Sequence, residues 1–259
     1  MRNLKKALNN GEILIGISQA IPDPAITELL GHQGWDYLSM NFAESSASPY
    51  GREIENLIRA AYAADIIPSI KLAKIDDEAI AKAVNCGAKA IKLTINSKEE
   101  FLAAGKAAKF APEGYHRASW VRAAGYGAET GSEMAARVNG ELVIWPIIET
   151  KEAAENMEEI ISADGLDVIT IGAVDLAISL GDPASRETSE KVKKYWKRLV
   201  DLCHPRGIAV EYLALDAEAL KYGIELGCRV LHFSSEVRML FNATQQGLAD
   251  VKDLIEQLH

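Results

Sequence analysis

A chain of 259 residues with 48% hydrophobic and 25% charged side chains has enough apolar material to bury a large core in one α/β domain. Its formal charge of −9 argues against nucleic acid or an anionic membrane surface as a partner. No apolar run approaches the roughly 20 residues that span a bilayer, and residues 1–7 lack the apolar segment of a signal peptide, so a soluble protein is expected.

Apolar runs of strand length alternate with amphipathic runs of helix length. The first strand is predicted at 13–17 and the second at 36–41, with Glu44 just past its end. A helix over 53–64 leads to a third strand at 67–71, which ends on Lys71. A helix over 77–85 precedes the fourth strand at 88–93, with Lys92 inside it and Thr94 following, and another helix is predicted over 98–109. The segment 112–141 is too long for an ordinary connection, and its five glycines suggest a mobile lid or an oligomer contact. Within it, His116, Arg117 and Arg122 could reach an acidic substrate tail, and Gly125-Tyr126-Gly127 lacks the context of a phosphate loop. Trp120 and Trp145 read as packing residues.

The fifth strand, 143–148, ends at Glu149, and a helix is predicted over 151–162. The sixth, 168–172, is followed by Val174 and Asp175. Strands at 208–212 and 229–233 flank a helix over 217–225, with His232 read as a core histidine. A final helix over 236–258 carries Leu240, Leu248, Val251, Leu254, Ile255 and Leu258 on one side, to pack on its own barrel or on a neighbouring subunit. Gly34, Gly87, Gly165 and Gly227 mark repeated corners where a left-handed residue ends a helix and the next strand opens. Most strands are nearly continuous in Ile, Val, Leu or Ala, as parallel strands buried on both faces require. Eight such units predict a (β/α)8 barrel in a single domain, 1–259. Cys86, Cys203 and Cys228 show no disulfide or metal-ligand spacing, which suits packing roles in a reducing cytoplasm.

In such a barrel the active site lies at the carboxyl ends of the strands, which selects Glu44, Lys71, Lys92, Thr94, Glu149 and Asp175. A carboxylate after a buried strand is costly unless paired, hydrogen-bonded or bound to a cation. Glu149 and Asp175 could therefore converge on a divalent ion, Mg2+ or Mn2+, which in turn could chelate a 2-oxo acid and stabilise its enolate. Asp175 could instead serve the first turn of a following helix. Lys71 or Lys92 could form a Schiff base with a carbonyl substrate.

Ile148-Glu149-Thr150, Gly165-Leu166-Asp167-Val168, Ile171-Gly172, Asp175-Leu176 and Ser179-Leu180-Gly181 closely resemble the class II pyruvate aldolases of the HpcH/HpaI family. Ile15-Gly16, Gly34-Trp35-Asp36-Tyr37, Cys86-Gly87-Ala88 and the run from Phe110 to Arg117 extend the resemblance across most of the chain. The resemblance implies a divalent metal on Glu149 and Asp175, and pyruvate carboxylate bound by backbone amides near Val174 and Asp175. It also implies carbon–carbon cleavage that releases an aldehyde, and a hexamer built from dimers that exchange the C-terminal helix. Three positions depart from the family. Its Asp-x-Glu-His after strand two is Asn41-Phe42-Ala43-Glu44 here, its arginine ending strand three is Lys71, and its glutamine two residues before the metal glutamate is Ile147. Glu44 could act as a base if burial raises its pKa, and Lys71 could support an enolate as a point charge. Alternatively the two pair with each other in a noncatalytic, anion-binding barrel.

Overall fold

The computed structural model describes residues 1–182 and 189–258. Eight parallel strands close on themselves: β1 Leu14–Gln19, β2 Tyr37–Asn41, β3 Ile67–Lys71, β4 Ala90–Thr94, β5 Val143–Ile148, β6 Val168–Ile171, β7 Ala209–Ala214 and β8 Val230–Ser235, with β8 paired back to β1. This is the (β/α)8 barrel that the repeated units predict. Several strands begin one or two residues later than their apolar runs, because the residues after each corner glycine complete the turn. Gly34, Gly87, Gly165 and Gly227 all have positive φ, between 82° and 104°, which a side chain would oppose.

The barrel is filled from below. Leu14, Tyr37, Ile67, Ala90, Val143, Val168, Ala209 and Val230 supply one buried inward side chain per strand. Leu4, Ala7 and Leu8 of the short helix Leu4–Asn9 join the same cluster. Because side chains alternate along a strand, two residues further on the inward positions are Lys92, Glu211 and His232, and two further again Ser18, Lys71 and Thr94. A second and larger apolar cluster fills the layer between the strands and the outer helices.

Three expectations change. The helix predicted over 151–162 is two short helices, Lys151–Glu155 and Met157–Ile161, separated at Asn156, whose side-chain amide donates to the Asn96 carbonyl at 3.0 Å. Residues 112–141 do not form a lid over the carboxyl end. The helix Lys98–Ala108 returns the chain to the other end of the barrel, and the helix Gly131–Glu141 leads from there into β5. Glu141 pairs with Lys89 at the start of β4 (2.5 Å), and Arg122 lies over the Tyr62 ring beside Gly87. Arg122 is thus remote from a substrate at the mouth, and His116 is buried against the Ala107 carbonyl. Trp120 is 80% exposed rather than packed, whereas Trp145 is wholly buried.

The helix Glu236–Leu258 touches its own barrel only near its start at β1 and β8. Leu240, Phe241, Leu248, Val251, Leu254, Ile255 and Leu258 remain exposed, as does Ile15 on the outer face of β1. Only the first turns of this helix pack on its own barrel, through Glu236 and Met239; the apolar positions beyond them do not. Among the described residues no helix is long and apolar enough to cross a membrane, and the three cysteines are buried and unpaired.

Candidate active site at the carboxyl end of the barrel

Glu149 directly follows β5. It is partly buried and accepts a hydrogen bond from the Thr94 hydroxyl at the end of β4. Burial pushes its carboxyl above the ordinary carboxylate range; Thr94 and Lys71 oppose that shift, and the charge of Asp175 adds to it. Its place depends on Gly172, which directly follows β6: a Cβ there would lie 2.6 Å from Glu149 Oε2. Asp175 sits in the first turn of the helix Ala173–Ser179, exposed and without a side-chain hydrogen bond or ion pair among the described residues. The helix begins at Gly172 with no side-chain cap, so Asp175 is not spent on capping. The first hydrogen bond of this helix runs from Leu176 N–H to the Gly172 carbonyl (2.9 Å), which leaves the amides of Val174 and Asp175 without a partner inside the helix.

On the neighbouring strands, Lys71 Nζ bonds Glu44 Oε1 at 2.7 Å. The Asn41 side chain builds the turn that carries Glu44, accepting from the amides of Ala43 and Glu44 at 3.1 Å each and donating to Glu44 Oε2 at 3.2 Å. The hydrogen bond from Lys71 holds the Glu44 carboxyl below the ordinary range, outweighing partial burial.

Lys92 is not at the mouth. It lies one level deeper, its side chain only 4% exposed, with Nζ 2.5 Å from Glu211 Oε1 and 4.0 Å from the Trp145 ring centroid. The same Glu211 oxygen accepts from Tyr37 OH (2.7 Å) and faces His232 Nδ1 (3.0 Å). His232 Nε2 in turn meets Ser18 Oγ at 2.9 Å. Burial alone would raise the Glu211 carboxyl, but Lys92 and His232 bring it down to about 2. Burial lowers the pKa of His232, against the pull of Glu211. The reading of Lys92 as a substrate contact is therefore corrected: inside the closed barrel its charge is spent on Glu211. His232 is buried, with both ring nitrogens hydrogen-bonded.

Sequence reasoning passed over Ser18, Tyr37 and Glu211. One signal was present for the last: a glutamate inside the apolar run Ala209–Ala214, matched by a lysine inside the equally apolar Ala90–Thr94, asks for a buried opposite charge.

The donor set fits a hard divalent cation. It consists of one partly buried carboxylate in a cradle that a Cβ would fill and one exposed carboxylate with no other partner. Among the described residues no three or more His, Cys, Asp or Glu side chains converge, so such an ion would complete its shell with solvent or substrate oxygens.

The family described as HpcH/HpaI aldolase/citrate lyase matches residues 20–243. A hydroxypyruvate/pyruvate aldolase of Paraburkholderia phytofirmans is 26% identical over 257 residues, covering 96% of this chain and 97% of that protein. A 5-keto-4-deoxy-D-glucarate aldolase of Shigella boydii is 26% identical over 251 residues, covering 95% and 94% respectively. Among solved structures, an HpcH/HpaI aldolase/citrate lyase family protein from Burkholderia cenocepacia superposes with a TM-score of 0.88 at 25% identity, over 97% of this chain and all of that one.

Proposed function

Because the chain belongs to the HpcH/HpaI aldolase/citrate lyase family, we propose that it is a carbon–carbon lyase acting on a 2-oxo acid at the carboxyl end of its barrel. The observation that carries this reading is the pair Glu149 and Asp175, one carboxylate sheltered against Gly172 and the other exposed and unpaired. The names of the relatives from Paraburkholderia phytofirmans and Shigella boydii support a keto acid as substrate and an aldehyde as the second product.

Glu149 and Asp175 would hold Mg2+ or Mn2+. Such an ion supplies Lewis acidity toward the carboxylate and keto oxygens of the substrate, stabilising the enolate charge. The remaining roles fall to the chain itself. The amides of Val174 and Asp175, which have no partner within their helix, would receive the substrate carboxylate. Lys71, held by Glu44, would place its positive charge beside the oxyanion. Glu44 thereby becomes the residue that positions Lys71. The buried ion pair of Lys92 with Glu211 supports this reading over a Schiff base on Lys92.

The exposed apolar face of Glu236–Leu258 supports a homo-oligomer in which a second copy of the chain covers it. Three unpaired thiols support a reducing compartment, the cytoplasm.

The test is Asp175→Ala. Calorimetric titration with Mg2+ or Mn2+ and turnover of 2-oxo acid aldols should both be lost, while circular dichroism still reports the folded barrel. Undiminished turnover in that variant overturns the reading.

A further inference from the structure

With Glu44 tied to Lys71, the mouth needs another group to move a proton, and β1 supplies one. Leu14 is an inward residue of the barrel floor, and Gly16 lies against the Tyr37 ring, where a Cβ would be 2.0 Å from the ring carbons. Alternation therefore turns Ser18 inward as well, two residues nearer the carboxyl end, at the level of Lys71 and Thr94. Ser18 is partly exposed, whereas His232 beneath it is 2% exposed and Glu211 only 1%.

The bonding pattern sets each proton. Glu211 Oε1 receives Lys92 Nζ, Tyr37 OH and His232 Nδ1, three donors on one carboxylate oxygen. Facing ionised Glu211, His232 Nδ1 is the ring's donor, and in the neutral ring this leaves Nε2 as an acceptor. The only proton that Ser18 Oγ owns then points at His232 Nε2, 2.9 Å away, and the lone pairs of the oxygen are left for whatever occupies the mouth. Lys92 and Glu211 cancel each other's charge, so the enclosed cluster is neutral at rest.

We infer that Ser18 Oγ carries the proton to and from carbon at the barrel mouth, with His232 taking the serine's own proton and Glu211 fixing the imidazole. The inference rests on the lyase reading of this mouth. In the enolising direction a C–H bond beside the keto group breaks. Its electron pair enters the new C=C bond, and the keto oxygen takes the negative charge. The released proton passes to Ser18 Oγ as the serine O–H proton passes to His232 Nε2, forming an imidazolium against ionised Glu211. Protonation of the enolate runs the same transfers backward. Ser18 is then a catalytic residue, and His232 and Glu211 act through it as positioning residues.

Two measurements on the full chain test this. In ligand-free protein labelled with 15N histidine, His232 Nδ1 should resonate as a protonated nitrogen and Nε2 as an acceptor, and Ser18→Ala should move Nε2. A protonated Nε2, or one that ignores Ser18→Ala, overturns the inference. The second reading is exchange of pyruvate methyl protons with D2O in the presence of Mg2+, followed by proton NMR. Ser18→Ala should slow exchange by roughly a hundredfold or more with Mg2+ affinity unchanged, and Ser18→Thr should restore part of the rate. Wild-type exchange that persists in Ser18→Ala overturns the inference alone. Absence of exchange in the wild-type protein overturns the lyase reading together with it.

Discussion

A methyl group built on Gly172 would lie 2.6 Å from Oε2 and 2.7 Å from Cβ of Glu149, well inside non-bonded contact. Glycine at this position therefore lets β6 pass close enough for Glu149 to stand at the mouth. Gly172→Ala should displace the carboxylate, weakening Mg2+ binding and turnover by about tenfold or more and costing roughly 1–3 kcal/mol of stability. Metal titration and a thermal melt of the variant check both; a variant with wild-type metal affinity would contradict the cradle. At this scale the two carboxylates were legible in the sequence, because each is a lone charge just beyond an apolar run. The Lys92–Glu211 pair was not read, since its partners lie 119 residues apart and meet only across the closed barrel.

Among the elements, the C-terminal helix departs most from the behaviour of an isolated domain. Its 23 residues extend for roughly 34 Å, and its apolar positions recur at helical spacing yet stay exposed. Exposed apolar area of this kind marks an association surface. Leu248→Glu combined with Ile255→Glu should shift the particle from oligomer to smaller species in light scattering while helix content is retained. A wild-type protein that already runs as a monomer would count against the covering copy. The segment 112–141 shows the converse case. Its length and glycines were legible, but its place was not: the helix Lys98–Ala108 reverses the chain, so the segment gathers at the amino end of the barrel.

For the whole molecule, the buried cluster makes folding sensitive to acid. In the unfolded chain Glu211 titrates near 4.5, whereas in the barrel it is held down to about 2. The unfolded state therefore binds the proton first. The stability that Glu211 contributes is complete above about pH 5 and is lost as the pH falls toward 2, an effect on the order of 3 kcal/mol. His232, lowered by burial from 6.5, adds a loss of the same sign that begins near its unfolded value. Urea midpoints measured from pH 7 to pH 3 should fall steadily, and His232→Asn should remove the upper part of the slope. A flat wild-type profile would contradict this assignment.

The local pattern alone determined the barrel and the places of the two mouth carboxylates. Strand burial, helix period and corner glycines are all properties of residues close together in the chain. Tertiary structure decided the rest: Lys92 turned down to Glu211, Lys71 bound to Glu44, Ser18 set over His232, and an apolar helix left uncovered. The physical reason is that closure sets each inward side chain's level through strand register, and charges from distant strands then meet in a small space where each must find a partner.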